Sequence, residues 1–372
     1  MKKVLAIVVC LLMVFAVYLT LNTASDSTPE ATAGKMYKGT FYVAGMGGHF
    51  AAAKLTIDPS NKANPISIDS LDRIVIGGKS THPTHDPRID VNDRTKMYWS
   101  TYKIDKSIGG KTVHVGLSDL TTGQVLIDRA AQLDARAKWT GALYCASGQT
   151  KNSYMPVTMT DEAYIDVFSK GDMNFNHRVF LDYKPGETLF YHGINTPDMK
   201  KFAIAINRKG DNGKPNGKID FKLLDLKSLE NGKAKVLKET TVTGKPGKTL
   251  TFRQTVTPNG KYLLQSAADR FLLMDAKSLK VLDEEMMDQG QNHDAITTPD
   301  GKYAVLTIRT KIKTKLDAED VKGSQITDGE LLLYDIKAKK VIGKSASVCF
   351  ACHKDLGING NATLCGADAN WN

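Results

Sequence analysis

The chain has 372 residues, enough to bury a core without disulfide help, and room for two average domains or one large all-β domain. Lys and Arg number 50 against 40 Asp and Glu, a formal net charge of +10. The lysines are scattered, with no basic block interleaved with aromatics, which argues against nucleic-acid binding and suits steering of an acidic redox partner.

Residues 1–33 are set apart by composition. Met1-Lys2-Lys3 is a basic start, and Val4 to Leu21 carries no charge. That is the pattern of a signal peptide or membrane anchor, followed by a Ser/Thr/Ala/Pro linker with a small-x-small site at Ala31-Thr-Ala33. The expected location is periplasmic or an equivalent exported compartment, with membrane anchoring as the alternative. Cys10 lies too early in the apolar run to be a lipoprotein site.

Residues 34–345 are organised by repetition. "TPDMKKFAIAI" from Thr196, "TPNGKYLLQS" from Thr257 and "TPDGKYAVLTI" from Thr298 are each a turn followed by an apolar strand. A second cassette, a strand ending in Asp and then a turn and strand, recurs at Asp119, Asp225, Asp275 and Asp335. Turn-and-strand units at this spacing predict an all-β fold, a single β-propeller of four-stranded blades. At roughly 45 residues per blade the chain predicts about seven blades.

The repeats resemble those of YVTN-type propellers, most closely from about 190 to 345. The same broad group includes the propellers of haem-d nitrite reductases, nitrous oxide reductase and methylamine dehydrogenase. "KGDMNFNHR" and "QGQNHDAITT" are similar to segments of the propeller (beta) subunit of hydrazine-synthase-like multihaem complexes. The resemblance implies a redox setting, nitrogen metabolism among the options, and establishes fold better than function.

In such propellers the residues just before the Pro-Asp-Gly turn line the central channel. That register holds His85, His192 and His293, with Arg253 in the corresponding place of another blade. These three histidines are candidate hub ligands, and Arg253 a candidate anion anchor. His49, Met46 and His177 are secondary candidates. A hub copper cluster needs more histidines than these and ranks below haem. His82 and His85 in "HPTH" form a possible local metal pair. "GDNGKPNGKID" from Gly210 lacks the acidic alternation of a calcium loop and reads as a hairpin.

Residues 346–372 carry Cys349-Phe-Ala-Cys352-His353, the C-x-x-C-H spacing of covalent haem c attachment. His353 is then the proximal iron ligand. The 19 residues after it contain no His or Met, so a sixth ligand comes from His293, His192, His85, a partner chain or an open site. His353 follows Val341 by 12 residues, as His293 follows Val281, which predicts that the motif starts an inner strand. Cys145 and Cys365 remain, and export makes them a disulfide candidate.

These readings point to an electron-transfer cytochrome serving as a subunit of a multihaem redox complex. Two alternatives stand beside it: an oxidoreductase acting on a small nitrogen or sulfur species at the propeller mouth, and a haem-free scaffold propeller.

Overall fold

The structure is a computed structural model. It describes residues 35–372 apart from 46, 136–143, 160–163, 185, 289, 313–325 and 349–365. The apolar N-terminal segment, Met46, Cys349, Cys352, His353 and Cys365 therefore lie outside the described residues. Among the described residues no helix is long and apolar enough to cross a membrane.

Blade one contains β1 (Tyr37–Ala44), β2 (His49–Ile57) and β3 (Ile66–Val75). Blade two is β4 (Thr84–Ile89), β5 (Lys96–Thr101), β6 (Thr112–Asp119) and β7 (Val125–Gln132). Blade three is β8 (Tyr144–Gln149), β9 (Ser153–Thr158), β10 (Tyr164–Ser169) and β11 (Phe175–Phe180). Blade four is β12 (Thr188–Asn195), β13 (Lys201–Lys209), β14 (Pro215–Asp225) and β15 (Val236–Thr243), with the one-turn helix α1 (Leu226–Glu230) after β14. Blade five is β16 (Thr251–Val256), β17 (Tyr262–Ala267), β18 (Arg270–Asp275) and β19 (Val281–Met286). Blade six is β20 (Gln291–Thr297), β21 (Tyr303–Ile312), β22 (Ile326–Asp335) and β23 (Lys340–Ser347). The last strand, β24 (Ala367–Trp371), joins blade one as its innermost strand, in the order β24-β1-β2-β3.

The fold is thus a β-propeller, as the repeats predict, with six four-stranded sheets among the described residues rather than seven. The blades are unequal, and on average longer than the assumed repeat. Inner strands start at Thr84, Tyr144, Thr188, Thr251, Gln291 and Ala367, intervals of 60, 44, 63, 40 and 76 residues. The C-terminal residues are not a tail either. Residues 367–371 pair antiparallel with β1, from Gly39 opposite Trp371 to Val43 opposite Ala367. Strands from both ends of the chain share one sheet, and this closes the ring and covers the inner edge of β1.

The core follows the same circle. Among the described residues, one apolar cluster lies between each pair of neighbouring blades, from Phe50, Ile89 and Trp99 between blades one and two to Val305, Leu331 and Phe41 between six and one, and a small further cluster joins Cys145, Met159 and Tyr102. Trp371 takes part in the closing cluster, meeting Phe41 edge-on at 5.2 Å between centroids.

The repeated cassettes have a common physical cause. Thr196, Thr257 and Thr298 each donate their hydroxyl to the residue two positions on, Asp198, Asn259 and Asp300, which fixes the turn from first to second strand. At the end of the third strand Asp119, Asp225, Asp275 and Asp335 each accept a backbone N–H three residues on. In three of these turns the fourth residue after the Asp is left-handed: Gly123 (φ 73°), Leu279 (φ 61°) and Lys339 (φ 55°). The Gly210 segment is the β13–β14 hairpin, closed by Gly210 N–H to the Lys214 carbonyl at 2.8 Å.

Candidate functional site

The inner strands bring their polar residues to the propeller axis. In β4, β8 and β20 the ladder to the second strand skips one residue, and the skipped residues are His85, Cys145 and His293. Each is a β-bulge, which re-aims a side chain that regular pleating would place elsewhere. In β16 the irregularity spans Phe252 and Arg253, and in β12 it immediately precedes Tyr191 and His192. One inner-strand bulge per blade, in five blades, converts the repeat into a ring of inward-pointing groups.

The result is a fully buried cluster. His85, Cys145, His192, Arg253 and His293 are each no more than 1% exposed. The Cys145 thiol lies 2.9 Å from His192 Nε2 and 3.6 Å from His85 Nε2. One donor atom from each of His85, Cys145 and His293 falls within 4.8 Å of the others. Phe252 stacks on His293 at 4.4 Å and Tyr102 tilts over His85 at 4.3 Å, walling the group with aromatic faces. Burial, reinforced by the positive fields of Arg309 and Arg253, holds His85 and His293 well below the ordinary imidazole value, and burial with Arg253 does the same for His192. All three are neutral imidazoles at pH 7, the form that donates a lone pair.

Arg253 is differently employed than its register suggests. Its guanidinium donates to Asp86, to Asp294 Oδ2 at 2.6 Å and to the Cys145 carbonyl at 2.5 Å. Asp294 Oδ2 also accepts from Ala367 N–H at 2.9 Å, and Tyr154 donates to Asp86 at 2.8 Å. Arg253 is therefore a cross-axis tie among blades two, three, five and six, not an anchor held ready for an anion. At the sixth place on the ring stands Gly366, where a Cβ would come 2.6 Å from Arg253 Cζ. The guanidinium occupies the space that a side chain there would need.

The remaining sequence candidates separate. His82 is not in the hub: its Nε2 meets Asp128 at 2.9 Å, and His114 bridges Asp128 (2.7 Å) and Asp105 (3.1 Å). His49 begins β2 and His177 lies exposed on the outer strand β11. His353, expected to start an inner strand, lies outside the described residues; the first described strand after β23 begins at Ala367, 14 residues beyond it. Cys145 sits in the hub, while its proposed bridge partner Cys365 lies outside the described residues. Sequence reasoning missed Asp86 and Asp294. The signal was present, because the dipeptide His-Asp occurs at 85–86 and again at 293–294, each time with the bulged His followed by the Arg253-bound Asp.

No family model matches the chain, and no curated protein matches it. Among solved structures it is similar to Kuenenia stuttgartiensis hydrazine synthase, with 15% sequence identity and a TM-score of 0.45. The match covers 71% of this chain and 65% of that chain, so this chain spans under two thirds of that relative's length. A likeness this distant carries nothing about activity.

Proposed function

We propose that the protein is an exported β-propeller redox subunit that carries one covalent haem c on Cys349 and Cys352, with His353 as proximal ligand. One observation carries this reading. The segment bearing the motif joins the outer strand of blade six to the inner strand that closes the ring, and both of its flanks are fixed. Val348 N–H donates to the Gly329 carbonyl at 2.8 Å, and Gly366 N–H donates to the His85 carbonyl at 3.2 Å. A group attached to this segment is tethered at two points, one at the outer strand of blade six and one beside the propeller axis, which suits electron transfer over fixed distances better than a free tail would.

When bound, the haem supplies a one-electron couple, with the histidine axial ligand among the determinants of its potential. The sixth ligand we assign to a partner chain, because His85 and His192 face the Cys145 thiol and His293 belongs to the same buried group. Multihaem subunits of a redox complex are the partners this reading calls for, with nitrogen metabolism among the settings that the resemblance of the repeats implies. The scattered lysines supply the steering charge.

The test is a haem-stained denaturing gel of the mature exported protein, with Cys352→Ala beside it. A covalent haem band in the natural protein, lost in the variant, is the expected result. A protein that folds and is exported without a band leaves the scaffold reading in its place.

A further inference from the structure

The hub carries donor chemistry that the haem reading does not use. We propose that it binds one thiophilic transition-metal ion, copper or zinc, through the Cys145 thiolate and the imidazoles of His85 and His293, with His192 completing the set.

Spacing is the first argument. Metal–sulfur bonds near 2.3 Å and metal–nitrogen bonds near 2.0–2.1 Å put donors around a tetrahedral ion about 3.3–3.6 Å apart. The hub contacts bracket that range: 2.9 Å for His192 Nε2 to Cys145 Sγ, 3.6 Å for His85 Nε2 to Cys145 Sγ, and 4.8 Å as the bound for the His85–Cys145–His293 group. Shifts of about 1–1.5 Å bring His85, Cys145 and His293 to that spacing, and His192, outside that three-residue group, approaches through its contact with the thiol.

The tautomer is the second. His85 Nδ1 lies 2.8 Å from the Tyr144 carbonyl, which only accepts, so the ring proton sits on Nδ1. Nε2 then turns its lone pair toward the thiol. A ligand histidine whose other nitrogen donates to a backbone carbonyl is the usual outer support of a metal site. The third argument is unmet hydrogen-bonding capacity. Nδ1 of His192 and Nδ1 of His293 are buried with no hydrogen-bond partner among the described residues. A buried orphan of this kind is costly and marks a site that does something else.

Softness selects the ion. One thiolate with imidazoles favours copper or zinc and excludes magnesium and calcium, which take oxygen ligands. Met159, whose side chain packs against Cys145 alongside Tyr102, adds a polarisable thioether to the surroundings. Three of the four donors are bulge residues and the fourth, His192, follows a strand irregularity, each on a different blade, so only the closed ring assembles them.

The experiment uses the full-length exported protein, purified without oxidant. Elemental analysis should give about one copper or zinc per chain beyond any haem iron. X-ray absorption at that metal's edge should show one sulfur and two or three nitrogens in the first shell. Cys145→Ser should lose the sulfur contribution and lower metal retention at least tenfold. A thiolate charge-transfer band and a paramagnetic signal on oxidation assign copper; their absence with zinc at the edge assigns zinc. The double variant Cys349→Ala/Cys352→Ala should keep the metal while losing any haem, so the two readings fail independently. A first shell without sulfur, metal content below one per several chains after loading with either ion, or peptide mapping that finds Cys145 bridged to Cys365 overturns the proposal. Should Cys145→Ser not fold, the absorption spectrum of the natural protein decides alone.

Discussion

Arg253 offers the most direct test of how the hub is held. Its side chain is 1% exposed and lies against Asp86 and Asp294, whose side chains are 0% and 3% exposed. Arg253→Met keeps the length and removes the cation. Two carboxylates are then buried with one lost partner each, although Arg88 remains 3.8 Å from Asp86. Breaking a buried ion pair from one side costs about 3–5 kcal/mol, a large share of the ~5–15 kcal/mol that a domain commands. The pH dependence follows from the carboxylates. Burial pushes Asp294 up even with Arg253 present, whereas at Asp86 the opposing pull of Arg253 and Arg88 prevails over burial and holds it low. Without the guanidinium both rise above their unfolded values. A group with a raised folded pKa contributes stability below its unfolded pKa and loses it as pH rises, so the variant's deficit should shrink from pH 8 to pH 5. Chemical denaturation followed by Trp fluorescence at both pH values measures this. The triple variant with Asp86→Asn and Asp294→Asn should recover at least half of the loss at pH 8. A deficit under about 1 kcal/mol, or one equal at the two pH values, would refute the cross-axis tie.

Gly366→Ala pushes a methyl into the Arg253 guanidinium, 2.6 Å from Cζ, and should destabilise by about 1–3 kcal/mol in the same assay, with Arg253→Met/Gly366→Ala less than additive. Trp371→Ala removes the half-buried ring that closes blade one against Phe41 and Tyr37, and a loss of about 1–3 kcal/mol together with faster amide exchange in β1 should be seen. His114 is opposed by burial, yet its hydrogen bonds to Asp128 and Asp105 hold it above the ordinary value. Its stabilising charge is present below pH ~6.5 and fades as pH rises through the folded value, so His114→Gln should cost more at pH 5.5 than at pH 8.5, read by thermal melts. Lys339 has φ 55° where the equivalent turn on blade two has Gly123, and Lys339→Gly should raise stability by up to about 1 kcal/mol.

The propeller was legible because its determinants are local. A Thr hydroxyl two residues before an Asp or Asn closes the same turn wherever it occurs, and a strand-end Asp caps the next one, so the repeat in residue types is a repeat in hydrogen bonds. The inner-strand register was legible for the same reason, and it took His85, His192 and His293 to the axis. The number of blades was not, since connections of unequal length separate the inner strands and no local rule fixes them. Nor was ring closure, which depends on Ala367–Trp371 pairing with Tyr37–Ala44 from the other end of the chain. Cys145 and Asp86 reached the hub through contacts between blades: the bulges aim them, and Arg253 joins carboxylates 167 and 41 residues away in sequence. What the sequence determined by itself is the strand-turn chemistry of each blade and the inner-strand register that turns His85, His192 and His293 to the axis. The tertiary structure decided which donors meet, because only a closed ring of six blades brings bulges from separate sheets to one axis, where loss of water makes each imidazole, carboxylate and guanidinium depend on its neighbours.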